Sequence, residues 1–208
     1  MNRVLVALTL ALLAAGCSDR QSLTAVQQPL FQAAVSDATI QMLRQPPTAP
    51  RLQAYRVSFW ARRGTQTTLF VNYRPAPGQA QGDPFLRFRI PINGLVGGAG
   101  GVPLAKRDSV LITVTVDPVR FEVAFEPSGV LFSKSSPAQL AIWYQNADPD
   151  VNSDGVVDAT DELLTQQLAI WSQGTRTDAW RQLSSKNNTT QQYVASELYH
   201  FSQYAVSW

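Results

Sequence analysis

The sequence is poor in the residues that build many redox, metal and catalytic sites. It has one cysteine, Cys17, and one histidine, His200, among 208 residues. A disulfide within the chain and a site made of several thiolates or imidazoles are therefore excluded. It also lacks the Gly-x-Ser-x-Gly, His-Glu-x-x-His and phosphate-loop motifs of common hydrolases and nucleotide-binding proteins. Charged residues make up only 15%, and a net charge of +2 gives no ground for a nucleic-acid partner.

The chain has no apolar run long enough to cross a membrane as a helix, which takes about 20 residues. Residues 4–15 are apolar except for Thr9, and the short segment before them carries the positive charge of Arg3. This length suits the apolar core of a signal peptide, which spans about 7–15 residues. The pattern therefore predicts an exported protein.

The segment that follows, Leu-Ala-Ala-Gly-Cys at residues 13–17, resembles the lipobox of bacterial lipoproteins. The resemblance implies that residues 1–16 are removed as a signal peptide and that Cys17 is acylated. Acyl chains on Cys17 would bind the protein to a lipid bilayer in the bacterial cell envelope. Ser18, where an aspartate would favour retention at the inner membrane, points to the outer membrane. The alternative is an ordinary signal peptide that leaves Cys17 as a free thiol.

Composition divides the mature chain into two parts. Residues 17–50 are rich in Gln, Ser, Thr and Ala and end in three prolines within residues 46–50. Such a run favours an extended backbone and prevents helix continuation. We expect residues 17–50 to form a lipidated tether and residues 51–208 to form one domain.

Downstream of the tether the apolar residues recur with a period of two. About nine short runs show this alternation, and Pro, Gly and Asn separate them. This pattern is typical of an antiparallel sheet with one buried face. The predicted fold is all-β, an Ig-like sandwich of two antiparallel sheets. The predicted strands lie near residues 55–60, 69–73, 86–90, 110–116, 121–125, 140–144, 168–170, 193–198 and 204–208.

One segment, residues 148–162, has the spacing of a calcium-binding loop and is expected as an insertion in the sandwich. Ca²⁺ takes 6–8 oxygen ligands, which alternate residues of a tightly wrapped loop can supply. Gly155 stands where such a loop must turn sharply, and Val157 is expected to anchor the loop in the core. The candidate ligands are Asp150, Asn152, Asp154, the backbone carbonyl of Val156, Asp158 and Asp161.

The spacing resembles the loop of EF-hands and more closely that of dockerins, which often carry Asp at the last position. Six of the 15 acidic residues fall within 148–162, so removing them from the net charge of +2 leaves +8 on the rest. Such concentrated charge favours a cation, and the alternative is a solvated polar loop. Asp161 is shorter than the usual glutamate, which leaves Glu162 or water to complete the shell.

The flanking sequence departs from a full EF-hand. A strand is expected over residues 138–145 before the loop, and a helix only over residues 159–167 after it. We therefore expect Ca²⁺ to stabilise a connection between two strands.

Two further stretches carry a second resemblance. Residues 127–132 (Pro-Ser-Gly-Val-Leu-Phe), residues 137–140 and residues 199–206 (Tyr-His-Phe-Ser-Gln-Tyr-Ala-Val) are similar to the β-sandwich domain of ankyrins and netrin receptors. In a few relatives the chain cuts itself within His-Phe-Ser. That would imply attack of Ser202 on the Phe201 carbonyl with His200 as base. The simpler interpretation is that Phe201 is core and His200 makes a structural hydrogen bond.

Tryptophans offer another candidate surface. Trp60, Trp143 and Trp171 fall out of phase with the apolar faces of their strands, which indicates exposure or contact with the tether. Together with Trp180 they could form a sugar-binding strip, but packing within the sandwich is the favoured explanation. The favoured function is a calcium-stabilised, non-enzymatic lipoprotein with a structural or protein-interaction role. The alternative is a glycan- or partner-recognition module that uses surface tryptophans. A self-cleaving domain at Phe201-Ser202 ranks last.

Overall fold

The computed structural model describes residues 40–208, which form an all-β fold with one short α-helix. The nine predicted strands are confirmed, and four short ones join them. No helix in residues 40–208 has the length and apolarity to span a membrane. The strands are β1 Arg56–Arg62, β2 Thr67–Asn72, β3 Pro84–Ile90, β4 Leu95–Gly97, β5 Ser109–Asp117, β6 Glu122–Glu126, β7 Leu131–Phe132, β8 Ala138–Trp143, β9 Ala169–Gln173, β10 Arg181–Gln182, β11 Ser185–Asn188, β12 Tyr193–Leu198 and β13 Gln203–Ser207, with helix α1 at Ala159–Gln167 and a 3-10 turn at Ala99–Gly101.

Two antiparallel sheets carry most of the strands. One has six strands in the order β1-β5-β6-β13-β9-β10, and the other has five in the order β11-β12-β8-β3-β2. Strands β4 and β7 form a separate two-stranded ribbon. The last strand, β13, lies between β6 and β9, so the end of the chain is central to its sheet.

Aromatic side chains join the inner faces of the two sheets. Phe88 of the five-stranded sheet lies 4.7 Å, between ring centroids, from Phe125 of the six-stranded sheet. Phe201 stacks on Phe125 at 4.8 Å and contacts Phe88 at 5.7 Å. Inward residues such as Ile112 and Val114 are fully buried, while their strand neighbours face outward. Alternation thus gives each strand one apolar face, and the two faces close a sandwich.

The packed domain begins N-terminal to the boundary expected at residue 51. Leu43 is 1% exposed and belongs to the main core. Its N–H donates to the Val206 carbonyl at 2.9 Å, and Met42 pairs with Ser207 beyond the end of β6. We call residues 41–45 the entry segment. It extends the six-stranded sheet beside β13, so this end of the expected tether is part of the fold.

A second, smaller core lies on the outer face of the six-stranded sheet. Trp171 and Trp180 are 8% and 1% exposed, and Ile40 and Met42 pack against their cluster. This burial agrees with the packing favoured from the sequence, and the preceding chain lies against the cluster that contains Trp171, as the alternative of contact with the tether expected. The off-phase position arises because a second layer covers this part of the outer face.

Candidate metal centre

The acidic loop connects β8 to α1, and α1 leads directly into β9. A strand before the loop and a helix after it, Ala159–Gln167, are both confirmed. The loop therefore sits at one end of the sandwich, between a strand of each sheet. We call residues 148–161 the acidic loop and count its ligand positions from Asp150.

Helix α1 begins with a reciprocal capping arrangement. The Asp158 side chain accepts from the Thr160 N–H at 2.7 Å, and the Asp161 carboxylate accepts from the Asp158 N–H at 2.9 Å. Both carboxylates accept N–H groups that have no partner within the first helical turn. Their negative charge also interacts favourably with the positive, N-terminal end of the helix dipole. Two of the six predicted ligands thus also serve to start the helix.

The first half of the acidic loop is wound around its own side chains. Asp150 accepts from the N–H groups of Asp154 and Gly155, at 3.1 and 2.8 Å. Asp154 in turn accepts from the Val156 N–H at 2.9 Å, and Asn152 Oδ1 accepts from the Asp154 N–H at 3.0 Å. Gly155 has φ of +89°, a conformation that favours glycine, so the sharp turn expected there is present.

Asp161 closes the loop. It is 3% exposed, and its Oδ1 accepts from the N–H groups of Val151 and Asn152 at 2.7 and 3.2 Å. The Asp158 N–H, followed by the other two, holds the pKa of the Asp161 carboxyl below its ordinary value against the opposing effect of burial. The last position of the loop is therefore bound to its second, third and ninth positions by one buried carboxylate.

The donor chemistry of the loop fits a hard cation. Asp150, Asn152, Asp154, Asp158 and the Val156 carbonyl all offer oxygen, and the loop supplies no sulfur or imidazole. Within residues 40–208 no three His, Cys, Asp or Glu side chains are gathered as a metal-binding group. The Asn152 amide nitrogen instead donates to the Asp154 carboxylate at 2.8 Å. Ca²⁺ binding would require this amide to turn so that its oxygen replaces its nitrogen.

The positions of Val157 and Glu162 bear on the roles expected for them in the loop. Val157 is 62% exposed, so its predicted role as the anchor was wrong; Val151, 8% exposed, is the valine that enters the core. The reason is that the turn at Gly155 carries the following residues out into solvent. Glu162 is exposed and, with Asp158 and Asp161, borders an open cavity of about 680 Å³ beneath the helix.

The acidic loop is bound to the entry segment, a contact that sequence reasoning missed. The Asp148 N–H donates to the Arg44 carbonyl at 2.8 Å, and the Asp148 side chain accepts from the Asp150 N–H at 3.2 Å. Val151 and Leu43 are buried in the same core. The off-phase Trp171 indicated contact of the preceding chain with β9, where Ile40 and Met42 pack, but nothing in the sequence indicated its contact with the loop.

The remaining tryptophans divide between solvent and partial burial. Trp60 is 67% exposed on β1. Trp143 is half-buried on the outer face of the five-stranded sheet. The centroid of its ring lies 5.3 Å from that of Tyr193 and 5.9 Å from the Arg87 guanidinium. With Trp171 and Trp180 buried, the four residues do not form one exposed strip.

The His-Phe-Ser segment makes structural contacts. Phe201 is 5% exposed in the aromatic core, and His200 Nδ1 lies 3.2 Å from the Phe201 carbonyl oxygen. The Ser202 hydroxyl donates to the Gln173 carbonyl at 2.5 Å, and the Tyr204 hydroxyl donates to the His200 carbonyl at 2.6 Å. The Ser202 hydroxyl proton is thus engaged by the last residue of β9, and this hydrogen bond joins the start of β13 to β9.

Cys17 and the signal-peptide pattern lie outside the described residues. Comparison of the chain with protein-family models, with curated proteins and with solved structures finds no match.

Proposed function

We propose that the chain is a membrane-anchored, calcium-stabilised lipoprotein with a structural or protein-interaction role in the bacterial envelope. Acyl chains on Cys17 hold it to the bilayer, and Ca²⁺ in the acidic loop holds the point where the tether enters the domain. The observation that carries this proposal is the hydrogen bond from the Asp148 N–H to the Arg44 carbonyl. This bond supports the proposal because it joins the segment of the candidate metal site to the chain that would lead to the anchor.

The ligand roles follow from exposure and from existing contacts. Asp154 and Asp158 have exposed side chains, and Asp150 and Asn152 are partly exposed, so these four can turn toward a cation. Asp161 already accepts three backbone N–H groups and acts first as the clamp of the loop. Ca²⁺ bound there would neutralise repulsion among the carboxylates and resist opening of the loop.

The affinity this role needs is modest. Extracellular calcium modules work at about 10⁻⁴–10⁻³ M. A loop with a short acidic residue at its last position suits that range, since the envelope of a bacterium is open to millimolar-scale Ca²⁺. The anchoring and the calcium proposals therefore support each other.

Calcium titration calorimetry on the chain from Ser18 to Trp208 tests the metal site. We expect binding that is lost in the double variant Asp150→Ala, Asp154→Ala. The matched control, Asp83→Ala with Glu126→Ala, removes the same charge from exposed positions outside the loop and should bind normally. Equal loss of Ca²⁺ binding in both variants would mean that binding depends on the overall charge of the protein and not on the acidic loop. Mass spectrometry of the chain from a bacterial host tests the anchor separately, with acylation expected on Cys17.

A recognition role is the second candidate, and the Trp143 surface is the observation that favours it. Trp143, Tyr193 and Arg87 lie together on one sheet face, and flat aromatic rings beside a guanidinium suit sugar rings or a partner's side chains. Binding to a glycan array with and without Trp143→Ala tests it, with Trp171→Phe, a buried substitution, as the control for stability. Unchanged binding in Trp143→Ala would remove this candidate.

A further inference from the structure

Two residues that break the polar-apolar alternation of their strands lie opposite each other. Trp60 on β1 pairs with Leu111 on β5, and the two are 67% and 45% exposed. Their neighbours point inward: Ala61 is 1% exposed, and Phe59 lies 6.5 Å from Phe88 in the core. Trp60 and Leu111 therefore form an apolar pair on the solvent face of the six-stranded sheet, at its β1 edge.

Four cations surround this end of β1. Arg62 and Arg63 follow Trp60 in the chain, and Lys106 and Arg107 lie on the connection before β5. The Arg62 side chain donates to the Arg107 carbonyl at 3.2 Å, and the Arg63 side chain donates to the Leu104 carbonyl. These bonds hold the two segments together, so that the charges form one patch.

The patch has little counter-charge of its own. Its acidic residue, Asp108, accepts from the Ala105 N–H at 2.7 Å. The ion pairs found in residues 40–208, Arg56–Glu126 and Arg120–Glu122, include none of the four cations. All four side chains are exposed, so the patch is complementary to an anionic surface.

We propose that Trp60, Leu111 and the four cations form a second membrane contact, which rests on anionic lipid headgroups. Tryptophan favours the interface between water and lipid, and a leucine beside it adds apolar area that can enter the headgroup region. Lys and Arg around such a pair are drawn to anionic leaflets. The inference deepens the proposed function and rests on it, since acylated Cys17 would bring the domain to the bilayer.

Geometry and charge favour lipid over a second copy of the chain. Antiparallel pairing of two β1 edges about Phe59 would set Arg56 of one copy against Arg62 of the other, and like charges directly opposite are destabilising. The 22 residues between Cys17 and Ile40 span at most about 80 Å when extended. That reach allows the β1 edge to turn toward the membrane that holds the anchor.

Vesicle sedimentation of the chain from Ser18 to Trp208 tests the proposal. This chain keeps every strand and the whole core of the described residues and lacks Cys17, so its binding is independent of acylation. We expect it to bind vesicles of phosphatidylglycerol and phosphatidylcholine at low ionic strength and not to bind phosphatidylcholine alone. Trp60→Ser should weaken binding, and Arg62→Gln with Lys106→Gln should weaken it by roughly thirtyfold.

The matched control is Lys134→Gln with Arg176→Gln, which removes two exposed cations from other loops and should leave binding unchanged. Equal binding to neutral vesicles, or binding that Trp60→Ser leaves intact, would overturn the proposal. Capture by soluble polyglutamate without vesicle binding would assign the patch to an acidic polypeptide instead. Because acylation is measured separately by mass, failure here is distinguishable from failure of the proposed anchor.

Discussion

The Arg44 carbonyl accepts a hydrogen bond from the Asp148 N–H at 2.8 Å, and this bond joins the entry segment to the start of the acidic loop. The two partners are separated by more than a hundred residues of sandwich. On the other side of the entry segment, Leu43 donates to Val206 of β13. The entry segment is thus held between the last strand and the candidate metal loop.

Calcium should slow local opening at this contact. We expect hydrogen exchange at the N–H groups of Asp148 and Leu43 to be faster in chelator than in Ca²⁺, because loss of the cation loosens the loop, whose Val151 shares the core with Leu43. The N–H of Arg63, which donates to the Asp108 carbonyl at the end of the β1 edge strand, opens by local fraying that leaves the loop intact, so it serves as the control and should exchange at the same rate in both conditions. Uniform acceleration at all three sites would mean that Ca²⁺ acts on global stability alone.

Leu43 should contribute to stability like any core residue. Because it is 1% exposed within the main core, Leu43→Ala should lower the free energy of unfolding by about 2–5 kcal/mol. Leu163→Ala, at a position 58% exposed on α1, is the matched control and should cost under about 0.5 kcal/mol. Denaturant unfolding measures both. Equal effects would return the domain boundary to the position expected from the sequence.

The clamp and ligand roles in the acidic loop can be separated by substitution. Asp161 accepts three backbone N–H groups, so Asp161→Asn should lower the melting temperature both in Ca²⁺ and in chelator. Asp154 is exposed, and Asp154→Asn should lower the melting temperature in Ca²⁺ while leaving it nearly unchanged in chelator. Thermal scans of both variants in both conditions test this difference. A fall for Asp161→Asn in Ca²⁺ alone would argue against the clamp.

Alkaline stability should depend on Tyr204. Burial raises the pKa of Tyr204 above its ordinary value of 10, and its hydroxyl donates to the His200 carbonyl at 2.6 Å. A folded-state pKa above the unfolded value gives stability that is present below pH 10 and is lost as pH rises toward the folded pKa. Tyr204→Phe should cost about 1 kcal/mol at neutral pH, from the lost hydrogen bond.

Above pH 10 that difference should shrink by up to about 1.4 kcal/mol per pH unit, since the variant has no hydroxyl to ionise on unfolding. Denaturant midpoints at a series of pH values measure it. Ile112→Val, at a buried position without a titratable group, is the control and should show a constant difference from the parent chain. A constant difference for Tyr204→Phe as well would contradict the role assigned to its burial.

Local pattern predicted the strands and the helix well, because each alternating run has one apolar face to bury. The helix at Ala159–Gln167 followed from its acidic start and its position after the loop. Strands β10 and β11 were missed, since Arg181–Gln182 and Ser185–Asn188 are too short and polar to show alternation.

Contacts between residues distant in the sequence could not be predicted from the alternating pattern. Alternation tells which face of a strand is apolar, but the residues that cover an off-phase side chain come from elsewhere in the chain. Trp171 is buried under Trp180 and the chain around Met42, whereas Trp60, equally off phase, is exposed. In the acidic loop, spacing identified the oxygens but not the backbone contacts of Asp161, which depend on how the loop closes.

Thermal unfolding of the chain from Ser18 to Trp208, in about 5 mM Ca²⁺ and in chelator, is the direct test of calcium stabilisation. For a site of 10⁻⁴–10⁻³ M affinity, binding at about 5 mM Ca²⁺ should add about 1–2 kcal/mol to the native state, or roughly 2–8 °C in melting temperature. We expect this difference for the parent chain and its absence in Asp150→Ala with Asp154→Ala. Equal melting temperatures of the parent chain in Ca²⁺ and in chelator would contradict calcium stabilisation.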